Sequence, residues 1–569
     1  MQLMTKDGEA TSPQTDILII GGGSAGCVLA NRLSASGARV TLIEAGADTG
    51  NGKEPEAISD ARFRTMGRTQ FFWPELVAEY SDTGIGALPF NQARVLGGGS
   101  SVNGMHAQRG LPVDYDEWRQ LGVVGWGWDD VMPFFKRVET DCDFRNDQHG
   151  DSGPVHIHRI PEKDWSGLSS AIGQAAGRMG MPKIADINGQ AGDGYGAVPM
   201  NAGDGKRVSS ARAYLTPEVR KRPNLTVITN AEVQTILTED KRAVGATFVQ
   251  DGQTRTIHAG QVIVSAGGLH TPALLMRSGI GPAADLEAAG IRPVIDLPGV
   301  GANLQTHPIL LLSAHLKPAG RARRNVAPPS TMLLRYSSHV PGCPETDMFI
   351  NVWERAPNPL AWDPLGHQLA SFFPTINKAY SIGSVKLNAA RQMEVRFNLL
   401  SDARDMARMV DSLKRMHVLL GDSAVAPLVN SAFFPAFTPL AMALMKEDAK
   451  AQLLSVAGAI ALSGPAALRN RLLKEAGKPI AEVLADEANL EMALKFGTIP
   501  GAHPVGTCRM GDPAQKTTVL DSRCRVVGME GLRVVDASIF PTIMCAGPNL
   551  PVMMAAEKAA TMIMEDLRQ

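Results

Sequence analysis

The stretch Asp16-Ile17-Leu18-Ile19-Ile20-Gly21-Gly22-Gly23-Ser24-Ala25-Gly26 decides the fold of this chain. Its apolar half predicts a buried strand, and the pattern from Cys27 to Leu33 predicts a helix. The glycines between them have the spacing G-x-G-x-x-G, so that backbone N–H groups and the helix dipole can hold a pyrophosphate. We therefore predict that a dinucleotide binds at Gly21, Gly23, Ser24, Ala25 and Gly26.

A second predicted strand, Arg39 to Ile43, ends in Glu44. A carboxylate at this place can accept hydrogen bonds from the ribose hydroxyls of an adenine dinucleotide, and it repels the extra phosphate of NADP. Glu44 and the following Ala45 are therefore candidate binding residues, and FAD or NAD is the expected ligand.

Size and charge limit the function classes. At 569 residues the chain exceeds the size of a single core, which predicts two domains, and its formal net charge of −1 argues against a nucleic-acid partner. The six cysteines lack metal-ligand spacing, so no metal site is predicted. Together with a polar start from Met1 to Thr15, they predict a reducing, cytoplasmic location.

The segment from Ala451 to Leu468 contains no charged residue. It is short for a bilayer span of about 20 mostly apolar residues, and it contains polar residues, glycine and proline. A helix pair is the favoured interpretation. Peripheral contact with a membrane stays open, because the preceding apolar run, Phe433 to Met445, could dip into an interface beside an active-site mouth.

Four further motifs make the pattern specific: Arg94 to Gly104, Gly267 to Gly281, His503 to Gly511, and Asp536 to Pro541 running on to Pro551. Together they resemble the glucose-methanol-choline (GMC) family of flavin oxidoreductases. Further runs fall in the family's order, among them Asp116-Glu117-Trp118, Ser210 to Leu215 and Val300 to Leu304, so the resemblance extends nearly end to end.

The resemblance implies FAD, and oxidation of a primary or secondary alcohol by hydride transfer to flavin N5. It also implies an α/β fold, with a Rossmann-like FAD-binding domain assembled from separated segments and a substrate domain with an antiparallel sheet and helices. The expected organisation is a disordered start (1–15), three parts of the FAD domain (16–165, 205–314 and 500–569), a substrate-domain excursion (166–204) and the substrate domain proper (315–499).

The family's motifs also imply cofactor contacts beyond the first loop. Val102 stands where some members carry a histidine that tethers the flavin, so non-covalent FAD is expected. The further cofactor-binding candidates are Arg94, Gly97, Gly98, Ser101, Asn103, Gly104, Met105, Val233, Ala266, Asp536, Ala537, Asn549 and Pro551.

The chemistry requires a base within hydrogen-bond reach of the substrate hydroxyl while the carbinol carbon faces the flavin. The family's His-Pro-x-Gly-Thr motif assigns this role to His503, and histidine has a suitable ordinary pKa near 6.5. The matching turn near the end assigns Asn549 to donate a hydrogen bond to the same oxygen. Gly547 departs from the commoner Asn or Thr of the family, which puts side-chain contacts to the flavin there in doubt.

Other residues favour structural interpretations. His106, His270 and His307 lie near cofactor motifs but are expected to be structural. The charges from Arg404 to Lys414 predict a solvated helix face with ion pairs at helical spacing. Long helical patterns are predicted from Arg404 to Leu420 and from Ala466 to Leu494, and the alternating run from Met393 to Leu399 predicts a strand of the substrate-domain sheet.

The leading hypothesis is oxidation of a small to medium apolar or aromatic primary alcohol, with oxygen or a quinone-like compound as electron acceptor. A lyase or another non-redox enzyme that retains FAD structurally is the main alternative. An NAD-dependent dehydrogenase and a flavoprotein scaffold without catalysis are two further ones. The sequence leaves the substrate, the acceptor and the oligomeric state open.

Overall fold

The strand that carries the glycine motif, Thr15–Ile20, lies inside a mixed sheet in the computed structural model of this chain. Parallel neighbours flank it on both sides, Val40–Ile43 and the end of Gln253–Val264. Leu225–Ile228 extends the parallel part beyond Val40–Ile43, and Leu532–Val534 pairs with Gln253–Val264. Widely separated segments thus assemble one dinucleotide-binding sheet, as predicted.

The structure describes residues 3–4, 10–11, 14–50, 54–63, 69–323, 328–356, 363–436, 438–444, 446 and 448–568. The helices span Ser24–Ser34, Glu56–Ser59, Pro112–Gln120, Trp128–Val138, Gly167–Arg178, Ser210–Tyr214, Pro217–Arg220, Gly267–Arg277, Ala283–Ala288, Asp363–Gly366, Ala403–Gly421, Pro439–Leu444, Ala449–Ser463, Ala466–Ala476, Ile480–Ala485, Leu490–Gly497 and Asn549–Asp566. The first sheet is completed by the antiparallel strands Ala231–Glu239 and Arg242–Gln250.

A second, antiparallel sheet forms the other half of the molecule. Its strands are Gly194–Ala197, Pro308–Leu310, Leu312–Leu316, Ser330–Tyr336, Met348–Trp353, Leu369–Ile376, Val429–Pro435, Gly477–Pro479 and Thr498–Pro500. The helix Ala403–Gly421 buries Met409, Leu413 and Met416 in the same hydrophobic core as this sheet. The α/β class, with a parallel cofactor sheet and an antiparallel sheet with helices, is confirmed.

The second sheet begins earlier in the chain than the sequence suggests. Pro308–Leu310, which the sequence analysis assigned to the FAD domain, already pairs with Thr498–Pro500 and, at Ile309, with Leu369–Ile376; the domain bounds themselves stay a prediction. Met393–Arg396 pairs with Ser384–Leu387, and its Arg396 forms a single bridge with Glu79, so this strand is not part of the large sheet. Neither change has a local sequence signal, because strand partners are chosen by tertiary packing.

The predicted long helix from Ala466 to Leu494 is interrupted. Gly477–Pro479 leaves the helical path and pairs with the end of Val429–Pro435. A Cβ at Gly477 would lie 1.9 Å from the carbonyl oxygen of Phe434, so only glycine permits this approach. The proline that follows cannot continue a helix from the preceding turn.

The charges on Ala403–Gly421 are not all solvated, which corrects the sequence interpretation. Asp405 and Arg408 are fully buried and form an ion pair, and a second nitrogen of Arg408 lies 3.3 Å from the buried Asp347. Lys414 is exposed as expected. Helical spacing shows that such side chains can meet, but it does not show whether another element covers them.

Two sequence predictions concern segments that the structure describes only in part, the disordered start and the apolar run considered for membrane contact. Most of the predicted disordered start lies outside the described residues, while Leu3–Met4 pairs with Ala10–Thr11. Among the helices of the described residues, none is both long and apolar enough to cross a bilayer. Ala449–Ser463 does expose Leu453, Val456 and Ile460, and peripheral membrane contact stays a prediction.

Candidate active site

A cavity of about 450 Å³ lies at the carboxyl ends of the parallel strands and continues to the second sheet. At one end it is lined by Ile20, Ile43 and Val233, and at the other by His503 and Trp353. An elongated space between two sheets suits a dinucleotide that holds its reactive ring against a substrate pocket.

Two glycine loops meet at the dinucleotide end. Gly21 has φ +100°, and a Cβ there would lie 2.4 Å from the carbonyl oxygen of Ser265. Gly98 has φ +53°, and its Cβ would lie 2.7 Å from the Cα of Gly23. The two loops therefore pack backbone against backbone, and Gly21, Gly23 and Gly98 all line the cavity.

The helix Ser24–Ser34 begins with its N–H groups available for an anion. Its N-cap is Gly23, which provides no side-chain cap, and no acidic residue occupies its first turn. Unsatisfied N–H groups and the helix dipole favour a phosphate at such a position.

Glu44 is buried at the same end of the cavity. Its Oε2 accepts from the backbone N–H of Gly22 and its Oε1 from that of Gly46, both at 2.7 Å. Desolvation raises the pKa of its carboxyl group, and the two N–H donors oppose this shift. The carboxylate therefore fixes both turns and keeps further lone pairs for ribose hydroxyls.

The predicted cofactor residues divide into two groups. Those that line the cavity are Gly21, Gly23, Ser24, Ala25, Glu44, Ala45, Gly98, Asn103, Gly104, Val233, Ala266, Asp536, Ala537 and Asn549. Those that lie behind this lining are Gly26, Arg94, Gly97, Ser101, Met105 and Pro551. Several of the second group hold the loops: Ser101 Oγ donates to the carbonyl of Leu96 at 2.8 Å, and the Arg94 guanidinium covers the ring of Trp73 at 4.8 Å.

Asp536 lines the cavity, but its carboxylate is already bonded within the protein. It accepts from the Gly267 N–H at 2.8 Å and from the Thr271 hydroxyl at 2.5 Å. Both the N–H and the hydroxyl of Ser538 donate to its other oxygen. Asp536 therefore aligns the backbone of Ala266 and Ala537 along the cavity.

Two histidines form a pair at the opposite end. His307 Nδ1 lies 2.8 Å from His503 Nδ1, and His307 Nε2 lies 2.9 Å from the carbonyl oxygen of Met544. A carbonyl can only accept, so His307 carries its proton on Nε2 and its Nδ1 is an acceptor. His503 must then donate through Nδ1, which leaves its Nε2 without a proton.

The local environment keeps both imidazoles neutral. Burial lowers the pKa of His307 to about 4. Desolvation, with smaller contributions from His307 and His106, lowers the pKa of His503 well below 6.5. His503 is thus arranged as a neutral base near neutral pH.

Asn549 lies on the dinucleotide side of the site. Its Oδ1 accepts from the Ser24 hydroxyl at 2.7 Å, which fits its place among the predicted cofactor residues. In the closing turn it is Gly547 that lies beside the base, because a Cβ there would be 3.6 Å from His503 Nε2. The role of Asn549 in donating a hydrogen bond to the substrate oxygen stays a prediction.

Comparisons with known proteins agree with this geometry. Family models described as GMC oxidoreductase match residues 15–309 and 379–556. The 5-(hydroxymethyl)furfural oxidase of Methylovorus sp. (strain MP688) is 38% identical over 565 residues, covering 96% of this chain and 98% of that protein. The alcohol dehydrogenase [acceptor] of Pseudomonas putida is 32% identical over 567 residues, covering 96% and 95%. The crystal structure of pyridoxine 4-oxidase from Mesorbium loti matches with a TM-score of 0.77 at 27% identity, covering 96% and 99%.

The chain belongs to the GMC oxidoreductases. This enzyme is an oxidoreductase whose relatives include enzymes that act on alcohol groups, and its cofactor is FAD. The site fits that cofactor, because its glycine loops leave backbone N–H groups and open space where side chains would otherwise project. Glu44, Val233 and His503 all line the cavity of this GMC protein, and their contacts with the adenosine and the flavin stay predictions.

Sequence reasoning missed the wall of this GMC site that faces His503. It is formed by Ile309, Phe349, Asn351, Trp353 and Phe373. These residues come from strands without a family motif, and their nearly continuous apolar sequence does not show which side chains face a cavity. His307 was expected to be structural. Its hydrogen bond to His503 could not be predicted from the sequence, because only the fold brings the two residues together.

Two other expected structural histidines line the cavity. His270 stacks on Trp73 with ring centroids 4.3 Å apart, and burial lowers its pKa to about 3. His106 lies 6.3 Å from the ring of Trp353, and burial lowers its pKa to about 4.

Outside the cavity, Glu139, Asp141 and His149 come close enough to hold a metal ion. Arg109 already pairs with Glu139, and Arg159 pairs with Asp141. Hydrogen bonds to the surrounding carboxylates outweigh desolvation and raise the pKa of His149 to about 10. His149 thus lies among the carboxylates of Glu139, Asp141 and Asp186, two of which are paired with arginines, and the cluster is a buried ion-pair network.

Proposed function

We propose that this enzyme oxidises a small to medium primary alcohol on an apolar or aromatic group to the aldehyde, with His503 as the base. The observation that carries the proposal is the pair of histidines, which leaves His503 Nε2 unprotonated beside the cavity that contains the dinucleotide loops. The aromatic wall of Phe349, Trp353 and Phe373 supports a planar substrate. Two similar proteins are named as oxidases of small ring alcohols, 5-(hydroxymethyl)furfural and pyridoxine.

The protein's part in the reaction follows from this arrangement. Bound FAD supplies the hydride acceptor. His503 Nε2 accepts the hydroxyl proton while the wall holds the carbinol carbon in place, and His307 stabilises the imidazolium by keeping its hydrogen bond to Nδ1. Gly547 leaves room in front of Nε2 for the substrate oxygen.

The test is anaerobic mixing of the yellow holoenzyme with aromatic primary alcohols. We expect the flavin absorbance to bleach, and we expect His503→Ala to slow bleaching by at least ~10² while retaining FAD. Undiminished bleaching in this variant would remove His503 from the mechanism. Conversion of substrate with the flavin still oxidised would indicate a lyase. Admitting air afterwards distinguishes oxygen from a quinone-like compound as the acceptor.

A further inference from the structure

One polar side chain interrupts the aromatic wall. Asn351 is 6% exposed, lines the cavity, and has its Oδ1 buried without a hydrogen-bond partner in the described part of the chain. Leaving a buried amide oxygen unpaired sacrifices its bonds to water, so such groups usually have a partner. The described residues provide no partner for this oxygen, which points to a ligand.

The strand geometry fixes Asn351 in this wall. It lies on Met348–Trp353, where alternate side chains face opposite sides of the sheet. Phe349, Asn351 and Trp353 line the cavity, while the alternate residues Met348, Ile350 and Val352 enter the hydrophobic core. Phe373 is the directly paired residue on the neighbouring strand and also lines the cavity. The amide thus lies among three aromatic rings.

The same strand connects the neighbourhood of the histidine pair with Asn351. The ring of Phe349 lies 6.5 Å from that of His307, which is bonded to His503. Asn351 follows Phe349 by two residues on the same face of the strand, a spacing of about 6.8 Å in an antiparallel strand.

The charges around the cavity restrict the ligand further. The charged residues that line it, Glu44, Glu232, Arg277 and Asp536, come from the dinucleotide-binding segments. In the described residues, the wall from Ile309 to Phe373 contributes no charged side chain to the lining. A charged substituent beside Asn351 would lack a counter-charge, whereas the amide can donate to or accept from a neutral group.

We propose that Asn351 recognises a second, neutral hydrogen-bonding group on the ring of an aromatic alcohol, remote from the carbinol that is oxidised. The substrate class is a hydroxymethyl arene or heteroarene with a distal hydroxyl, hydroxymethyl or aldehyde group. This inference rests on the proposed alcohol oxidation. It adds that substrate orientation is set by hydrogen bonding to the amide at the far end of the ring.

The test compares three benzyl alcohols that carry hydroxymethyl, ethyl or carboxylate at the para position. Ethyl matches the size of hydroxymethyl without its hydrogen bond, and carboxylate adds a charge. Anaerobic stopped-flow mixing gives the rate constant of flavin bleaching and the apparent substrate affinity for each. For the wild-type enzyme, we expect the rate constant of bleaching divided by the apparent dissociation constant to be about tenfold higher for the hydroxymethyl than for the ethyl compound. It should be lowest for the carboxylate.

Asn351→Leu keeps the size of the side chain and removes the amide. We expect this variant to lose the preference for hydroxymethyl over ethyl, measured as the ratio of the two compounds' values within the variant. Asn351→Ala serves the same purpose if the leucine variant does not fold. The comparison of the three alcohols on the wild-type enzyme tests the proposal without any variant.

The outcomes separate the two proposals. No bleaching of the wild-type enzyme with any of the three alcohols would overturn the proposed function. Bleaching without a preference for hydroxymethyl would leave that function standing and overturn the role of Asn351. A preference that survives both substitutions would also overturn it.

Discussion

At the scale of single residues, the main finding is that a neighbour determines which nitrogen of His503 can act. The Met544 carbonyl fixes the proton of His307, and His307 in turn fixes that of His503. This backbone carbonyl thereby determines which nitrogen of His503 lacks a proton, because each neutral imidazole has one donor and one acceptor.

The first prediction concerns His307. His307→Leu removes the acceptor for the His503 Nδ1–H, so the productive tautomer is no longer enforced, and we expect flavin bleaching to slow at least about tenfold at saturating alcohol. Apparent substrate affinity should change little. His307→Asn, whose side-chain oxygen can replace the acceptor, should recover much of the rate. If the leucine variant binds FAD and bleaches at the wild-type rate, this role of His307 is contradicted.

The second prediction concerns pH. A base works only when unprotonated, and burial lowers the pKa of His503 well below 6.5. The rate constant of bleaching should therefore stay level as the pH falls from 8 to 6.5 and decline only below that range. Stopped-flow measurements across pH 5 to 8 test this. A decline centred at or above pH 6.5 would show that His503 is not held in its neutral form by burial.

Residue roles were predictable to different degrees. The glycine spacing predicted Gly21 at a dinucleotide site and the end of the second strand predicted Glu44, whereas the resemblance to the GMC family assigned His503; all three line the cavity. The direction of the Asn549 side chain was not predictable. It depends on a bond to Ser24 that joins opposite ends of the chain.

At the scale of elements, the helix Ala403–Gly421 shows how burial changes the meaning of a charge pattern. Its inner face holds the ion pair of Arg408 and Asp405, and Asp405 also accepts from the backbone N–H groups of Tyr380 and Ser381. The helix is thus bonded to the segment that leaves the second sheet. Sequence periodicity gave its bounds to within one residue but could not show what packs on it.

The third prediction follows from this helix. Arg408→Met leaves Asp405 and Asp347 buried without their cation, and breaking such a pair typically costs about 3–5 kcal/mol. We expect a clear fall in the urea midpoint of unfolding. Lys414→Met, on the exposed face of the same helix, should change the stability by less than about 0.5 kcal/mol. Equal effects of the two substitutions would mean that the buried network contributes little.

At the scale of the whole molecule, the reaction site forms between two sheets of different construction. The loops of the parallel sheet line one part of the cavity and are the predicted cofactor-binding loops, and the antiparallel sheet provides the wall that faces His503. The fold class and the interleaved origin of the first sheet were predictable, because the glycine motif marks the first strand and the resemblance to the GMC family implies a domain assembled from separated segments. The extent of the second sheet was not, because its pairings join strands far apart in the chain.

The fourth prediction is that the whole enzyme holds FAD without a covalent bond. Val102 offers no nucleophile at the position where some relatives attach the flavin. Acid precipitation followed by filtration should therefore release all of the yellow colour into the filtrate. Flavin absorbance that stays with the precipitated polypeptide would contradict this.

The order of strands in the first sheet has a consequence for biosynthesis. Thr15–Ile20 leaves the ribosome early, whereas Leu532–Val534 and the turn before Asn549–Asp566 appear only after more than five hundred further residues. Until then the vitamin-derived cofactor can meet only an incomplete binding domain, whose sheet lacks its last strand. Nascent chains stalled before residue 532 should thus fail to retain it, and cofactor loading becomes a late, quality-controlling event in maturation.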